Sequence, residues 1–238
     1  INNNNTLKSI LNKYWIIYQE EYLNEFKKEY FLNTFFQYKK ISESERMSYN
    51  SNAYKVGYIA DMPFESMIDQ EFVGTISNYL DEFTNITPVE FEYYGYQNIT
   101  ELKKAFSQGE IDLIFANFNT EGVNVDVLST SSPFAEEYVV LSQDNIVVDS
   151  IRSLKGKTIY TVSNTYLYDY LTSNSIVPTG FDNTNQLLRN IKNDSIILID
   201  KSTYEYYHDK KFKNYKVVYQ GILDKDYKFV VRDVDKNN

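Results

Sequence analysis

The stretch from Ile99 to Phe118, ITELKKAFSQGEIDLIFANF, changes its apolar period half-way along. In its first half Leu102, Ala105 and Phe106 recur at helical spacing, which marks a helix with one buried face. Thr100 stands as the expected cap of this helix and Gly109 closes it. In its second half Ile111 to Ala116 reads as a buried strand. A short helix running almost directly into a buried strand is a unit of α/β architecture.

The same grammar extends to both sides. Lys55 to Ala60 reads as a strand stopped by Asp61-Met62-Pro63. Phe72, Val73, Ile76, Tyr79, Leu80 and Phe83 share one helical face, and Val89 to Tyr93 alternates like a strand. Downstream, Lys157 to Val162 and Ser195 to Asp200 read as strands around helices at Thr165 to Leu171 and Asn183 to Lys192. Tyr215 to Tyr219 and Tyr227 to Arg232 are strand-like. Two successive βαβ groups predict two α/β lobes with a cleft between them, where small ligands usually bind. Residues 1–50 differ: Leu7, Ile10, Leu11, Tyr14 and Tyr18, after Thr6 as N-cap, follow helical spacing, as do Phe31, Phe35 and Tyr38.

Composition narrows the class. With 42% hydrophobic residues, 238 residues can bury a sizeable core. A net charge of −9, with lysines scattered in pairs among acids, excludes a basic nucleic-acid face. Without cysteine there are no disulfides, thiol chemistry or thiolate metal sites, and no cofactor or metal is expected. No apolar run approaches the roughly 18–20 residues of a bilayer span. No P-loop, GxSxG, HExxH or Rossmann glycine pattern occurs, and 8 glycines leave little to cradle a phosphate. His208 follows four helical residues, Tyr204 to Tyr207, on an expected surface helix. The residues therefore argue against an enzyme.

In this order the segments resemble family-3 extracellular solute-binding proteins, the type-II periplasmic-binding-protein fold. Lys55-Val56-Gly57-Tyr58 and Met62-Pro63-Phe64-Glu65 are similar to that family's opening strand and its Pro-Phe loop. Residues 99–118 resemble its helix, Gly-x-Ile-Asp and buried strand. Ser132-Pro133-Phe134-Ala135-Glu136-Glu137-Tyr138 resembles its crossover, and residues 151–162 (IRSLKGKTIYTV) the start of its second lobe. Ile196 to Asp200 resembles the strand whose terminal aspartate faces the cleft. The likeness covers about residues 54–232. It implies an α/β, two-lobed fold with an N-terminal helical segment at 1–50, a first lobe at 51–138 completed by 218–238, and a second lobe at 139–217. Residues 42–57 resemble the junction between tandem modules of membrane-bound sensors. The resemblance therefore implies an extracellular small-molecule sensor domain of a bacterial signalling protein, anchored to the membrane through parts outside this chain. Its partners would be a small ligand, amino-acid-like or another polar solute, and adjoining membrane-anchored signalling domains; a homodimer stays open. The alternative is the binding component of an uptake transporter, and an enzyme of the same fold comes a distant third.

The expected cleft residues are Asp61, Phe64 and Glu65 in the first loop; Asn117, Asn119 and Thr120 after the buried strand; Ser163, Asn164 and Thr165 at a helix start; and Asp200. In amino-acid-binding relatives an arginine after that strand grips the ligand carboxylate with both guanidinium nitrogens. Here Asn117 to Gly122 contains none, and the four arginines are Arg46, Arg152, Arg189 and Arg232. Asp200 reads either as the acceptor of a ligand ammonium or as the cap of the helix that follows. Residues 163–165 read either as an anion-holding helix start or as an ordinary N-cap. Phe64 reads either as a stacking wall or as core. The acids at Asp61, Glu65, Glu121 and Asp200 favour a cationic or polar ligand.

Overall fold

In the computed structural model the described residues are 53–233 without 88, 122, 132–135 and 193, together with 7, 8, 10–15, 30, 33, 34, 36–44 and 47. Residues 7, 8, 10–15 and 36–39 are helical, as expected. Thr6, Tyr18, Phe31 and Phe35 lie outside the described residues. The chain forms two compact units, one of 1–53 with Asn78–Phe91 and one of Tyr54–Ser77 with Glu92–Asn238. The second unit carries two five-stranded sheets, Phe91 at the head of one strand excepted.

The elements in chain order are β1 (Tyr54–Ile59), β2 (Ser66–Ile68), β3 (Glu71–Val73), α1 (Thr75–Ile86), β4 (Phe91–Tyr96), α2 (Ile99–Gln108), β5 (Leu113–Ala116) and β6 (Val127–Ser129). They continue with β7 (Glu137–Ser142), β8 (Ile159–Val162), α3 (Tyr166–Ser173), β9 (Thr179–Phe181), α4 (Thr184–Asn190), β10 (Ile196–Asp200), α5 (Lys201–Tyr207), β11 (Lys216–Ile222) and β12 (Lys228–Arg232). One sheet runs β4-β1-β5-β12-β6 and the other β11-β7-β10-β8-β9. In each, strands joined by helices pair in parallel, β1 with β5 and β8 with β10, because a helical crossover returns the chain in the same direction. β7, β11 and β12 pair antiparallel.

The stretch 99–118 folds as its period dictates, with one change. The helix is capped by Asn98, whose side chain accepts from the Glu101 amide at 2.9 Å, so Thr100 sits inside the first turn. Gly109 takes the left-handed C-cap conformation. Leu102, Ala105, Phe106, Ile111, Ile114, Ala116 and Phe118 meet Ile59, Ile99 and Val230 in the core of the first lobe. The second lobe has a core on each face of its sheet. Ile196 and Leu198 face Tyr138, Val140 and Leu171, whereas Ile197 and Ile199 face Leu141, Leu187 and Phe212. A strand covered on both sides reads as an unbroken apolar run, which is why Ile196 to Ile199 shows no alternation.

Other boundaries differ from the sequence reading. Phe72 and Val73 belong to β3, a short hairpin strand that precedes α1. The chain changes sheet between β6 and β7 and again between β11 and β12. All of β11 to Ile222 thus lies in the second sheet, where the sequence reading had placed 218–222 with the first lobe. Among the described residues no helix is long and apolar enough to cross a membrane.

Asp112, the acid of the Gly-x-Ile-Asp motif, ties three strands. Its carboxylate accepts from the Lys55 amide at 3.1 Å and from Arg232 Nη2 at 3.0 Å. Its carbonyl accepts from the Arg232 amide at 3.0 Å. Asp112→Ala is expected to lower stability by about 1.5–3 kcal/mol, the range for hydrogen bonds to a charged group, measured by urea unfolding. A loss under about 0.5 kcal/mol would contradict this role.

Candidate functional site

The site is built on the loop between β1 and β2. Residues Asp61 to Glu65 close a tight turn in which the Asp61 amide donates to the Glu65 carbonyl at 2.7 Å and the Glu65 amide donates to the Asp61 carbonyl at 3.0 Å. The first amides of α1, Thr75 and Ile76, donate to the carbonyls of Pro63 and Phe64, both at 2.9 Å. The helix start is thereby spent on holding the loop. Phe64 is only 3% exposed and packs its ring against Phe115 and Tyr227 at centroid distances of 6.0 and 5.9 Å. It is both core and cleft wall.

Across from this loop stands the second lobe, and among the described residues four hydrogen bonds stitch the seam. Thr184 Oγ1 donates to Asp61 Oδ1 at 2.6 Å. Asn183 Nδ2 donates to the Gln97 carbonyl at 2.9 Å. The Tyr166 amide donates to the Asn117 carbonyl at 2.9 Å. The Tyr227 hydroxyl, whose ring packs in the first lobe, donates to Asp200 at the end of β10.

Beside the stitching lies a small, partly open cavity of about 20 Å³, lined among others by Asp61, Phe64, Glu65, Asn117, Thr165, Asp182 and Thr184. A space of that size admits a group no larger than a water molecule or two. Of the expected residues, Asp61, Phe64, Glu65, Asn117 and Thr165 line this cavity. Asn119 and Thr120 instead line a second, open cavity of about 720 Å³, with Glu121, Tyr166, Asp169, Tyr170 and the crossover residues Asp224 to Asp226. Ser163 and Asn164 line neither. They form the turn before α3, with Asn164 at φ 61°. Thr165 is the N-cap of α3, its hydroxyl accepting from the Tyr168 amide at 3.3 Å. With the Tyr166 amide taken by Asn117, the start of α3 carries a lobe contact and the ordinary N-cap that was one of the two readings of 163–165.

Asp200 makes no side-chain cap to α5. That duty falls to Glu136, which accepts from the Ser202 amide at 2.9 Å and from Ser202 Oγ at 3.0 Å. The neighbouring Glu137 turns away to Lys201 and Gln220, as alternation along a strand requires. Asp200 is thus free of the helix and buried, at 8% exposure, toward the seam.

Electrostatically this is a cluster of acids that burial makes reluctant to ionise. Burial pushes the Asp61 carboxyl up to about 6, with Glu136 adding to the rise and the Thr184 hydrogen bond opposing it. Burial raises Glu65 well above the carboxylate range, aided by Asp61 and opposed by the Ile59 amide that donates to its Oε1 at 3.2 Å. Asp200 is raised by burial and by Asp61 and Glu136, with Tyr227 opposing. Among the described residues Glu65 Oε2 is buried with no hydrogen-bond partner. The cavity lining contains no Lys, Arg or His. Arg232 is paired with Asp112, Arg152 Nε donates to Asn174, Arg189 is exposed on α4, and Arg46 lies outside the described residues. His208, outside this site, is 45% exposed beside Asp209.

Sequence reading missed Asn183, Thr184 and Tyr227. The first two stood in the right place, at the start of a helix, but nothing local says that a cap residue reaches the other lobe. Tyr227 read as the start of a strand.

No family model matches the sequence, and no curated protein matches it either. Solved structures do match. The holo form of ArgBP from T. maritima superposes with a TM-score of 0.65 at 19% identity, over 82% of this chain and 88% of that one. The VFT2 domain of Bordetella pertussis BvgS, a double mutant, gives 0.64 at 18%, over 80% and 84%. This is the type-II periplasmic-binding-protein fold. A third example of it, the GluR0 ligand-binding core from Nostoc punctiforme in complex with L-glutamate, gives 0.59 at 17%, over 76% and 85%. At these identities the shared property is the fold, with its two sheets and two crossovers, as the order of motifs implied. At the seam between the two sheets Asp61 and Glu65 line the small cavity, and Asp200 is bonded across the seam by Tyr227.

Proposed function

We propose that the chain is a binding module whose two lobes close on a small polar molecule, and that it serves as the extracytoplasmic sensor portion of a bacterial membrane signalling protein. The observation that carries the reading is the acid cluster at the lobe seam, held by contacts from both lobes and containing a buried oxygen without a partner among the described residues. Buried polar atoms of this kind are costly to a fold and cluster where ligands bind. Closure on a ligand would bias two arrangements of whatever the module is joined to. The likeness of residues 42–57 to a junction between tandem modules favours a sensor. The likeness to the substrate binding protein of an amino acid ABC transporter, with a TM-score of 0.62 at 18% identity, favours the second reading, the binding component of an uptake transporter. Neither reading asks the chain for catalysis.

The test is a thermal-shift screen of the chain against amino acids, amines, sugars and organic acids. A compound binding only the folded form adds about 2.7 kcal/mol at a hundredfold excess over its Kd. The module reading expects a hit that Asp200→Ala abolishes. Absence of any hit, or a hit indifferent to Asp200, would contradict it.

A further inference from the structure

We propose that the cleft selects a ligand with a cationic nitrogen head, ammonium or guanidinium, and no carboxylate beside it, with Asp61 and Glu65, which line the cavity, as its counter-charges. This rests on the binding-module reading above and names its ligand class.

The first observation is the charge of the lining. Asp61, Glu65 and Asp182 line the cavity and no basic residue does. The second is independent of charge counting. Glu65 is 5% exposed, lines the cavity, and has one oxygen on the Ile59 amide and the other on nothing among the described residues. A buried carboxyl oxygen of this kind asks for an N–H donor. An ammonium head brings three donors in a volume close to that of a water molecule, which the cavity of about 20 Å³ admits.

The third observation concerns what the cleft lacks. A zwitterionic amino acid needs a receptor for its carboxylate as well as for its ammonium. The described arginines are engaged or exposed elsewhere, Lys225 and Lys228 line the second cavity and not this one, and the first amide of α3 is taken by Asn117 and the third by the Thr165 side chain. An α-carboxylate brought here would meet Asp61, Glu65 and Asp182 with no cation to compensate it, and a buried unpaired charge is costly.

The groups that face the acids are all acidic or neutral. Asp61 is met by Thr184, Glu136 and Tyr207; Glu65 by Tyr58 and Asp61; Asp200 by Tyr227, Asp61 and Glu136. Burial keeps these acids protonated at higher pH than usual, so a cation that ionises them releases protons as it binds. Its affinity therefore rises with pH.

The experiment is titration calorimetry on the chain with matched pairs that differ only by a carboxylate: agmatine against L-arginine, and 1,4-diaminobutane against L-ornithine. Expected are at least tenfold tighter binding of the amine in each pair, tenfold or greater weakening from pH 8 to pH 5, and proton release seen as a buffer-dependent heat. Glu65→Gln should weaken agmatine at least tenfold; should that variant not fold, Asp61→Asn provides the same readout. Equal or tighter binding of L-arginine or L-ornithine overturns the ligand class and leaves the binding module standing. L-glutamate binding without amine binding does the same. No binding by any of these compounds or by the wider screen overturns both.

Discussion

At pH 7.5 and without added amines, Asp61→Asn is expected to unfold at a higher temperature than the parent chain, and the difference should fade toward pH 4. Burial, helped by Glu136 and resisted by the Thr184 hydrogen bond, lifts this carboxyl from 3.8 in the unfolded chain to about 6 in the fold. The folded form thus keeps a proton that the unfolded chain has already lost. Stability from this group is complete below about pH 4 and is withdrawn as pH climbs through about 6. One pH unit of such a difference is about 1.4 kcal/mol, so the loss has a ceiling near 3 kcal/mol. Asn offers the same acceptor oxygen to Thr184 and carries no charge, so it escapes the loss. Glu65 and Asp200 are raised in the same direction, and the parent chain should therefore show a broad decline of stability on the alkaline side. Melting curves from pH 4 to pH 8.5 check this. A variant less stable than the parent at pH 7.5 would contradict the strain assigned to the acid cluster.

The second large effect is expected at Gly74. It sits at φ +124°, and a Cβ there would lie 2.3 Å from the Phe64 carbonyl oxygen, 2.7 Å from the Phe64 carbonyl carbon and 2.9 Å from the Pro63 oxygen. All three are backbone atoms, and two of them are the carbonyls that receive the first amides of α1. Gly74→Ala must displace the loop that carries Asp61 and Glu65, at a cost of about 3 kcal/mol or more. Gly156 is the control: its φ is +78° but nothing stands within 4 Å of the added Cβ. Gly156→Ala should cost only about 1 kcal/mol, the strain of the conformation. Urea unfolding compares the two, and similar losses would contradict the steric account.

Much of this fold was legible because period and burial agree. The helical spacing of Leu102, Ala105 and Phe106 and the unbroken run Ile196 to Ile199 lie where such patterns must lie, on a half-covered helix and a doubly covered strand. Legibility failed where three residues form an element. β2, β3, β6 and β9 are each too short to show a period, and Phe72 and Val73 were drawn into the neighbouring helix by spacing that continues across Gly74. In the site, the loop acids and Asp200 enter only through the resemblance to a family whose cleft they would face; the structure places Asp61 and Glu65 on the small cavity and Asp200 at the end of β10. Between the two readings of 163–165, N-cap or anion site, the sequence does not choose, because only tertiary structure reveals that the Asn117 carbonyl occupies the first amide. The same holds for Thr184, whose bond to Asp61 joins residues 123 positions apart.

The chain's lack of cysteine offers a direct test of the central claim, that its seam is a ligand cleft. Cysteines introduced at two exposed positions, Lys104 on α2 of the first lobe and Asn190 on α4 of the second, would carry spin labels whose separation reports closure. The account predicts that saturating agmatine narrows the distance distribution and that Asp200→Asn abolishes the narrowing. Binding of agmatine with an unchanged distribution that is also indifferent to Asp200 would place the ligand elsewhere and contradict the account.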